Sequence, residues 1–128
     1  MIDHIGLIVS DFEKSKLFYT ESLSAIGYML LMEFPASATR DTDVVGFGEP
    51  PRPDFWISRG TQRPPAIHVA FRVLSRTHVD AFHQSALAAG GRDNGAPGLR
   101  PHYHPNYYAA FILDPDGHNI EVVCHNPE

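Results

Sequence analysis

Apolar residues alternate with polar or small ones in two stretches of the chain that match at an offset of 64 positions: Ile2-Asp3-His4-Ile5-Gly6-Leu7-Ile8-Val9 and Ala66-Ile67-His68-Val69-Ala70-Phe71-Arg72-Val73. Period-two alternation predicts a strand in each. Ile5, Leu7 and Val9 then share one face, opposite His4, Gly6 and Ile8. Ile67, Val69, Phe71 and Val73 share the corresponding face of the second strand, opposite Ala66, His68, Ala70 and Arg72. Each strand therefore carries one apolar face and sets one histidine on the other.

A helix is predicted after each strand. Ser10-Asp11-Phe12-Glu13 has the form of a capping box, Lys14 to Leu23 carries Leu17, Phe18 and Leu23 among charges, and Gly27 supplies a stop. In the second half Ser75 or Thr77 can cap a helix whose stripe is Val79, Phe82, Ala86 and Leu87, with Gly90-Gly91 at its end. Further strands are expected at Tyr28 to Phe34, Val44 to Phe47 and Pro53 to Ser58. Tyr107 to Leu113 and His118 to Cys124 form a hairpin about the turn Asp114-Pro115-Asp116-Gly117. Gly60 to Pro65 reads as a linker. Asn94 to Pro105, with three Pro and two Gly, reads as a long ordered loop. The pattern is α+β: one domain, residues 1–128, in two copies (about 1–60 and 66–128) of a strand, a helix and three strands.

Composition narrows the function classes. Of 128 residues 43% are hydrophobic and 20% charged, an ordinary folded mixture. The net charge of -5 has the wrong sign for gripping a phosphate backbone, so no nucleic-acid partner is expected. No apolar run reaches the length of a membrane span and no signal-peptide pattern is present, so no membrane partner and a cytoplasmic location are expected. The lone cysteine, Cys124, has no internal disulfide partner and reads as core.

Glu121 interrupts the apolar run of the last strand. A carboxylate between Ile120 and Val122 in an interior strand needs a partner, because an unpaired buried charge is costly. A divalent metal ion is one partner. His4, His68 and Glu121 lie on strand faces opposite the apolar ones and suit a two-histidine, one-carboxylate centre with positions left for substrate. An ion pair between Glu121 and Arg72 or Arg100 is the alternative.

These features resemble the vicinal oxygen chelate superfamily, which includes glyoxalase I, extradiol dioxygenases, fosfomycin-resistance transferases and bleomycin-resistance binding proteins. The resemblance rests on the paired units, the spaced histidines and the segment Asp114-Pro115-Asp116-Gly117-His118-Asn119-Ile120-Glu121. It implies two βαβββ modules forming a partial barrel around a central cavity, with His4, His68 and Glu121 at the metal-ligand positions. It further implies a divalent ion (Zn, Ni, Mn or Fe), a small oxygenated substrate and a homodimer. The implied activity is that of a lyase, isomerase or transferase, with dioxygenase chemistry open to the same ligands. The competing reading is a non-enzymatic protein that sequesters a small molecule, of the bleomycin-resistance type.

Departures from the subfamilies single out further residues. Where glyoxalase I places a glutamate on the last strand of the first unit, this chain has Trp56 or its neighbourhood, and Asp54 could substitute by a shift of register. Trp56 would be an aromatic wall for substrate on one face of its strand and plain core on the other. Fosfomycin-type anion contacts are replaced by Phe111 and Ala109. Within Leu99 to Tyr108, Arg100 could neutralise an anionic group, Tyr107 would reach into the cavity, and His102 and His104 are candidates for proton transfer. The alternative for these histidines is that they knit the loop to the sheet.

Overall fold

The computed structural model describes residues 1–39, 42–60 and 66–128. The expected linker lies, from Thr61 on, outside the described residues. The first half comprises β1 (Ile5–Val9), α1 (Phe12–Ser24), β2 (Met29–Phe34), a short α2 (Ala36–Thr39), β3 (Val44–Gly48) and β4 (Phe55–Arg59). The second comprises β5 (His68–Val73), α3 (Arg76–Ala88), β6 (Arg92–Leu99), β7 (Tyr108–Leu113) and β8 (Asn119–Cys124). The strands form two open sheets in the orders β1-β4-β3-β2 and β5-β8-β7-β6, with β1 parallel to β4 and β5 parallel to β8. The architecture is α+β, and the second sheet repeats the order of the first.

Alternation decides which face of each sheet is buried. Leu7, Val9, Phe55, Ile57, Val45 and Phe47 point into the core from the first sheet, as do Phe71, Val73, Ile112, Ile120 and Val122 from the second. On α1 the buried side is Phe12, Ser15, Phe18, Tyr19, Ser22 and Leu23, at the three- and four-residue spacing of one helix face. Leu17, expected in that stripe, is 58% exposed, and Tyr19 takes the buried place. Each fully buried aromatic or aliphatic side chain contributes roughly 1.5–3 kcal/mol by leaving water. The helices thus cover one face of each sheet and leave the histidine-bearing face bare.

Three local expectations are corrected. The cap of α1 is Asp11, whose carboxylate accepts from the Lys14 N–H, rather than a box between Ser10 and Glu13. Ser75 is the N-cap of α3, but its hydroxyl is engaged with Thr77 and makes no cap bond. Much of the loop expected from Asn94 onward is the strand β6. Its register against β7 shifts twice, between Asp93 and Gly95 and again between Gly95 and Gly98, so a segment rich in turn residues is held in a ladder by its neighbour.

Polar side chains join the halves. His118, 2% exposed, accepts the Ile67 N–H at Nδ1 (3.1 Å), so its Nε2–H donates to the Ile8 carbonyl (3.2 Å). Ser10 donates its N–H and hydroxyl to Asp116, and the Tyr19 hydroxyl donates to Asp114. Tyr28 and Phe55 of the first half both pack edge-on against Phe71 of the second. Gly91, after α3, has no room for a side chain: a Cβ would lie 2.6 Å from Ile112 and 2.7 Å from Phe18. One core spans the two sheets as a result.

Candidate metal and substrate site

Parallel pairing of β5 with β8 sets His68 beside Asn119 and Ala70 beside Glu121. Side chains at alternate positions share a face, so the imidazole and the carboxylate meet diagonally across the strands. His68 Nε2 lies 2.9 Å from Glu121 Oε2, and the other carboxylate oxygen accepts the Tyr107 hydroxyl. Glu121 is 2% exposed. Its partners are therefore His68 and Tyr107, and neither Arg72 nor Arg100 fills that role.

The other ring nitrogen of His68 fixes the protonation pattern. Nδ1 lies 3.1 Å from the Asn119 carbonyl, which can only accept, so Nδ1 carries a proton. In a neutral ring Nε2 then holds a lone pair facing a carboxylate oxygen. Two acceptors at that distance repel unless a proton or a metal cation lies between them. His4, just before β1, is prepared the same way: its Nδ1 lies 2.7 Å from Asp3 Oδ1, leaving Nε2 free. That hydrogen bond, with the nearby Arg52 guanidinium, holds the Asp3 carboxyl below its ordinary pKa. Pinning the far nitrogen of a histidine on an acceptor is how proteins orient metal ligands.

His4 and His68 line a common cleft of about 320 Å³ with Asp54, Tyr28, Phe55 and Phe71. Asp54 accepts the Tyr28 hydroxyl at 2.9 Å. Among the described residues, no group of three His, Cys, Asp or Glu side chains is drawn together tightly enough to hold an ion. His68 and Glu121 meet, while His4 presents the same kind of donor from the wall of the shared cleft. The donor chemistry fits a divalent ion with two imidazoles and one carboxylate.

The remaining candidates are spread over the bare faces. Phe55 and Ile57 enter the core, which turns Trp56 to the bare face of the first sheet, where it packs against Phe34. Phe111 lies nearly parallel to the His68 ring (26°) and carries the Arg100 guanidinium over it, 5.5 Å from the ring centre. Arg100 donates to the carbonyls of Gly98 and Ala96, both at 2.7 Å. His104 accepts the Asn106 N–H at Nδ1 and meets His125 at Nε2 (2.5 Å), while His102 packs on Tyr103. Both His104 nitrogens are thus used by neighbouring chain, as the loop-knitting alternative requires, and neither histidine lines the cleft. Sequence reading passed over Asp3, Tyr28 and His118; only Asp3, adjacent to His4, left a local signal.

A family profile for the Glyoxalase/Bleomycin resistance protein/Dioxygenase superfamily matches residues 1–122. The chain belongs to this superfamily. A glyoxalase/bleomycin resistance protein from Albidiferax ferrireducens is 26% identical over 95% of this chain and 97% of its own, with a TM-score of 0.76. At lower identity the fold alone is shared. A glyoxalase I mutant from Zea mays is 21% identical, covering 95% of this chain and 46% of its own (TM-score 0.72). The fosfomycin resistance protein FosX from Listeria monocytogenes, as a mutant complexed with Mn(II) and dihydroxypropylphosphonic acid, is 19% identical, covering 99% and 93% (TM-score 0.70). No curated protein matches the chain. The superfamily thus includes metal-dependent enzymes and resistance proteins. Among the described residues no helix is long and apolar enough to cross a membrane.

The tyrosines of this glyoxalase-superfamily chain make its alkaline behaviour predictable. Burial, then the hydrogen bond to Glu121, pushes the Tyr107 hydroxyl up to about 12. Burial also raises Tyr19 and Tyr28, which sit on Asp114 and Asp54, and the hydrogen bond to Asp80 raises Tyr108. The unfolded chain releases these protons near pH 10, roughly, while the folded chain keeps them. Stability is thus fully present below that pH and falls as pH climbs through the folded values. Urea midpoints should drop between about pH 10 and about 12 as tyrosinate absorbance appears. A midpoint flat across that window would refute the assignment.

Proposed function

We propose that this chain is a metal-dependent, glyoxalase-like enzyme, a lyase, isomerase or transferase, acting on a small oxygenated substrate. In this reading it is one domain of two repeats, with His4, His68 and Glu121 as the protein donors. The observation that carries the reading is the His68–Glu121 pair: with Nδ1 committed to the Asn119 carbonyl, Nε2 faces a buried carboxylate oxygen at 2.9 Å. A divalent ion would be held by His68 Nε2 and Glu121, with His4 Nε2 as the further donor. Two neutral imidazoles and one carboxylate suit Zn, Ni, Mn or Fe alike.

Bound there, a divalent ion supplies Lewis acidity to substrate oxygens. The chain's own groups do the rest. Tyr107, with its raised pKa, keeps its proton at neutral pH and acts as a hydrogen-bond donor beside Glu121. Arg100, held over Phe111, offers its remaining N–H groups to an anionic part of the substrate. Asp54 is the carboxylate in the cleft that can take a proton from substrate, with the Tyr28 hydroxyl steadying it. His102 and His104 act at one remove, through the loop that sets Tyr107. Homodimerisation and a cytoplasmic location belong to the same proposal; exposed Met29 and Met32 on the edge strand β2 give apolar surface for pairing.

Metal analysis of the purified full chain tests the reading. One divalent ion per chain is expected, lost in His68→Ala without loss of the folded circular dichroism spectrum. A chain that takes up none of the four metals, yet binds a small ligand, would instead be a sequestering protein.

A further inference from the structure

His68 stands where a strand opens most easily. It is the first residue of β5, β5 is the outer strand of its sheet, and its partner Asn119 is the first residue of β8. Chain at the end of an edge strand frays with little free energy. A donor placed there needs an anchor outside the ladder.

The anchor is the imidazole of His118. Its backbone is bound by Asp114, whose Oδ1 accepts the His118 N–H (2.8 Å) and whose N–H donates to the His118 carbonyl (3.0 Å). The ring then reaches two ways: Nδ1 accepts the Ile67 N–H (3.1 Å), and Nε2–H donates to the Ile8 carbonyl (3.2 Å). Asn119 completes the hold, because its N–H donates to the Ile67 carbonyl (2.9 Å) and its own carbonyl accepts His68 Nδ1–H (3.1 Å). Two consecutive residues thus grip two consecutive residues. The ring is 2% exposed, so an N–H that lost it as acceptor would be left buried at a cost.

The two ring bonds do different work. The Nε2 arm meets the first half at a joint that Ser10 on Asp116 and Tyr19 on Asp114 already hold. The Nδ1 arm holds the residue before the donor. The first half provides an internal comparison: Ala70 pairs with Glu121, and Gly6, 64 positions before Ala70, pairs with Trp56, so His118, three residues before Glu121, corresponds to Pro53. Proline has no side-chain nitrogen with which to hold a strand start. His4 accordingly lies exposed ahead of β1, with its neighbour Asp3 on its ring.

We propose that His118 is the positioning residue of the His68 donor: by holding the Ile67 N–H, its Nδ1 fixes the start of β5 and with it the place of His68 Nε2 against Glu121. It touches neither ion nor substrate and acts through the backbone. This inference rests on the function proposed above for what His68 holds, but not for where its ring stands.

Two substitutions divide the ring. Asparagine places an oxygen at the position of Nδ1 and leaves Nε2 empty, whereas glutamine places its amide near Nε2 and leaves Nδ1 empty. His118→Gln should weaken divalent-metal affinity about 10–100-fold, and His118→Asn should rescue it to within about threefold of the unmodified chain, although each variant forfeits one buried bond. In the metal-free protein the His68 ring C–H resonances, set in part by the Phe111 ring 6.3 Å away, should keep their places in His118→Asn and move in His118→Gln. Metal affinities that fall equally in the two variants, or in neither, overturn the proposal, as do unmoved His68 resonances in a folded His118→Gln protein. A further measurement needs no variant. The Ile67 amide of the unmodified chain should exchange with deuterium as slowly as the hydrogen-bonded amides inside β5, and exchange as fast as a chain end overturns the grip. A chain that takes up no metal, yet shows the slow amide and the split in His68 resonances, supports the positioning and sinks the metal centre, whereas metal uptake equal in all three proteins does the reverse.

Discussion

Glu121→Gln is expected to lower divalent-metal affinity at least about 100-fold while leaving the melting temperature unchanged or slightly raised. The expectation follows from what the amide does at each end. Its oxygen can still accept the Tyr107 hydroxyl, and its NH2 group can donate to His68 Nε2, the nitrogen that holds a lone pair because Nδ1 is committed to the Asn119 carbonyl. The polar contacts of the apoprotein are thus satisfied better than with a carboxylate. An ion at the same place loses a charged ligand, and since removing a group that merely orients a ligand already costs about 10–100-fold in metal affinity or activity, removing the ligand costs at least the upper end. Turnover should fall by a similar factor. The rival assignment, a protonated His68 paired with Glu121 for stability alone, gives the opposite result. Breaking that pair would lower stability by about 1–3 kcal/mol. Calorimetric metal titration and thermal unfolding of the same variant, read together, decide the matter: a destabilised variant with unchanged metal affinity defeats the metal centre.

The elements that could be read from the chain are those whose signal is local. Alternation in Ile2 to Val9 and Ala66 to Val73 placed both histidines on bare faces, and the Asp114 to Gly117 turn placed Glu121 on the returning strand. What escaped was set by partners distant in sequence. β6 reads Arg-Asp-Asn-Gly-Ala-Pro-Gly-Leu, residues that favour turns, and is a strand because β7 supplies its ladder through two register shifts. Tyr19 displaced Leu17 from the buried side of α1 because its hydroxyl finds Asp114, 95 residues away. His118 follows the hairpin turn in the sequence, and its role between the halves shows only when Ile8 and Ile67 arrive on its two nitrogens. In the site, the residue types were legible and their convergence was not. His68 joins Glu121 because parallel pairing sets them two positions apart on adjacent strands, whereas His104 spends its nitrogens on Asn106 and His125, neither of which its spacing from His102 disclosed.

Asp114→Ala should be the most destabilising polar substitution in the molecule, at about 3–5 kcal/mol. Asp114 is 1% exposed and receives three donors: the Tyr19 hydroxyl at Oδ2 (2.5 Å) and the N–H groups of Asp116 (2.9 Å) and His118 (2.8 Å) at Oδ1. Alanine removes the acceptor for all three, and the fully buried Tyr19 hydroxyl loses its partner. Each such group costs about 1–3 kcal/mol, with less than full additivity because the three share one site. For a domain of this size the melting temperature should fall by about 10–20 °C. Asp114→Asn separates charge from geometry. Its oxygen keeps the two backbone N–H groups and its amide faces the oxygen of Tyr19, so the loss should be about 1–2 kcal/mol. If the two variants unfold at the same urea concentration, the network is not what holds the turn. The position also matters beyond its own contacts, because Tyr19 belongs to α1 of the first half and Asp114 to the hairpin that carries Glu121. Loosening this joint lets the half bearing His4 move against the half bearing His68 and Glu121. Metal uptake should therefore weaken in Asp114→Ala at temperatures where the chain is still folded, and return in Asp114→Asn.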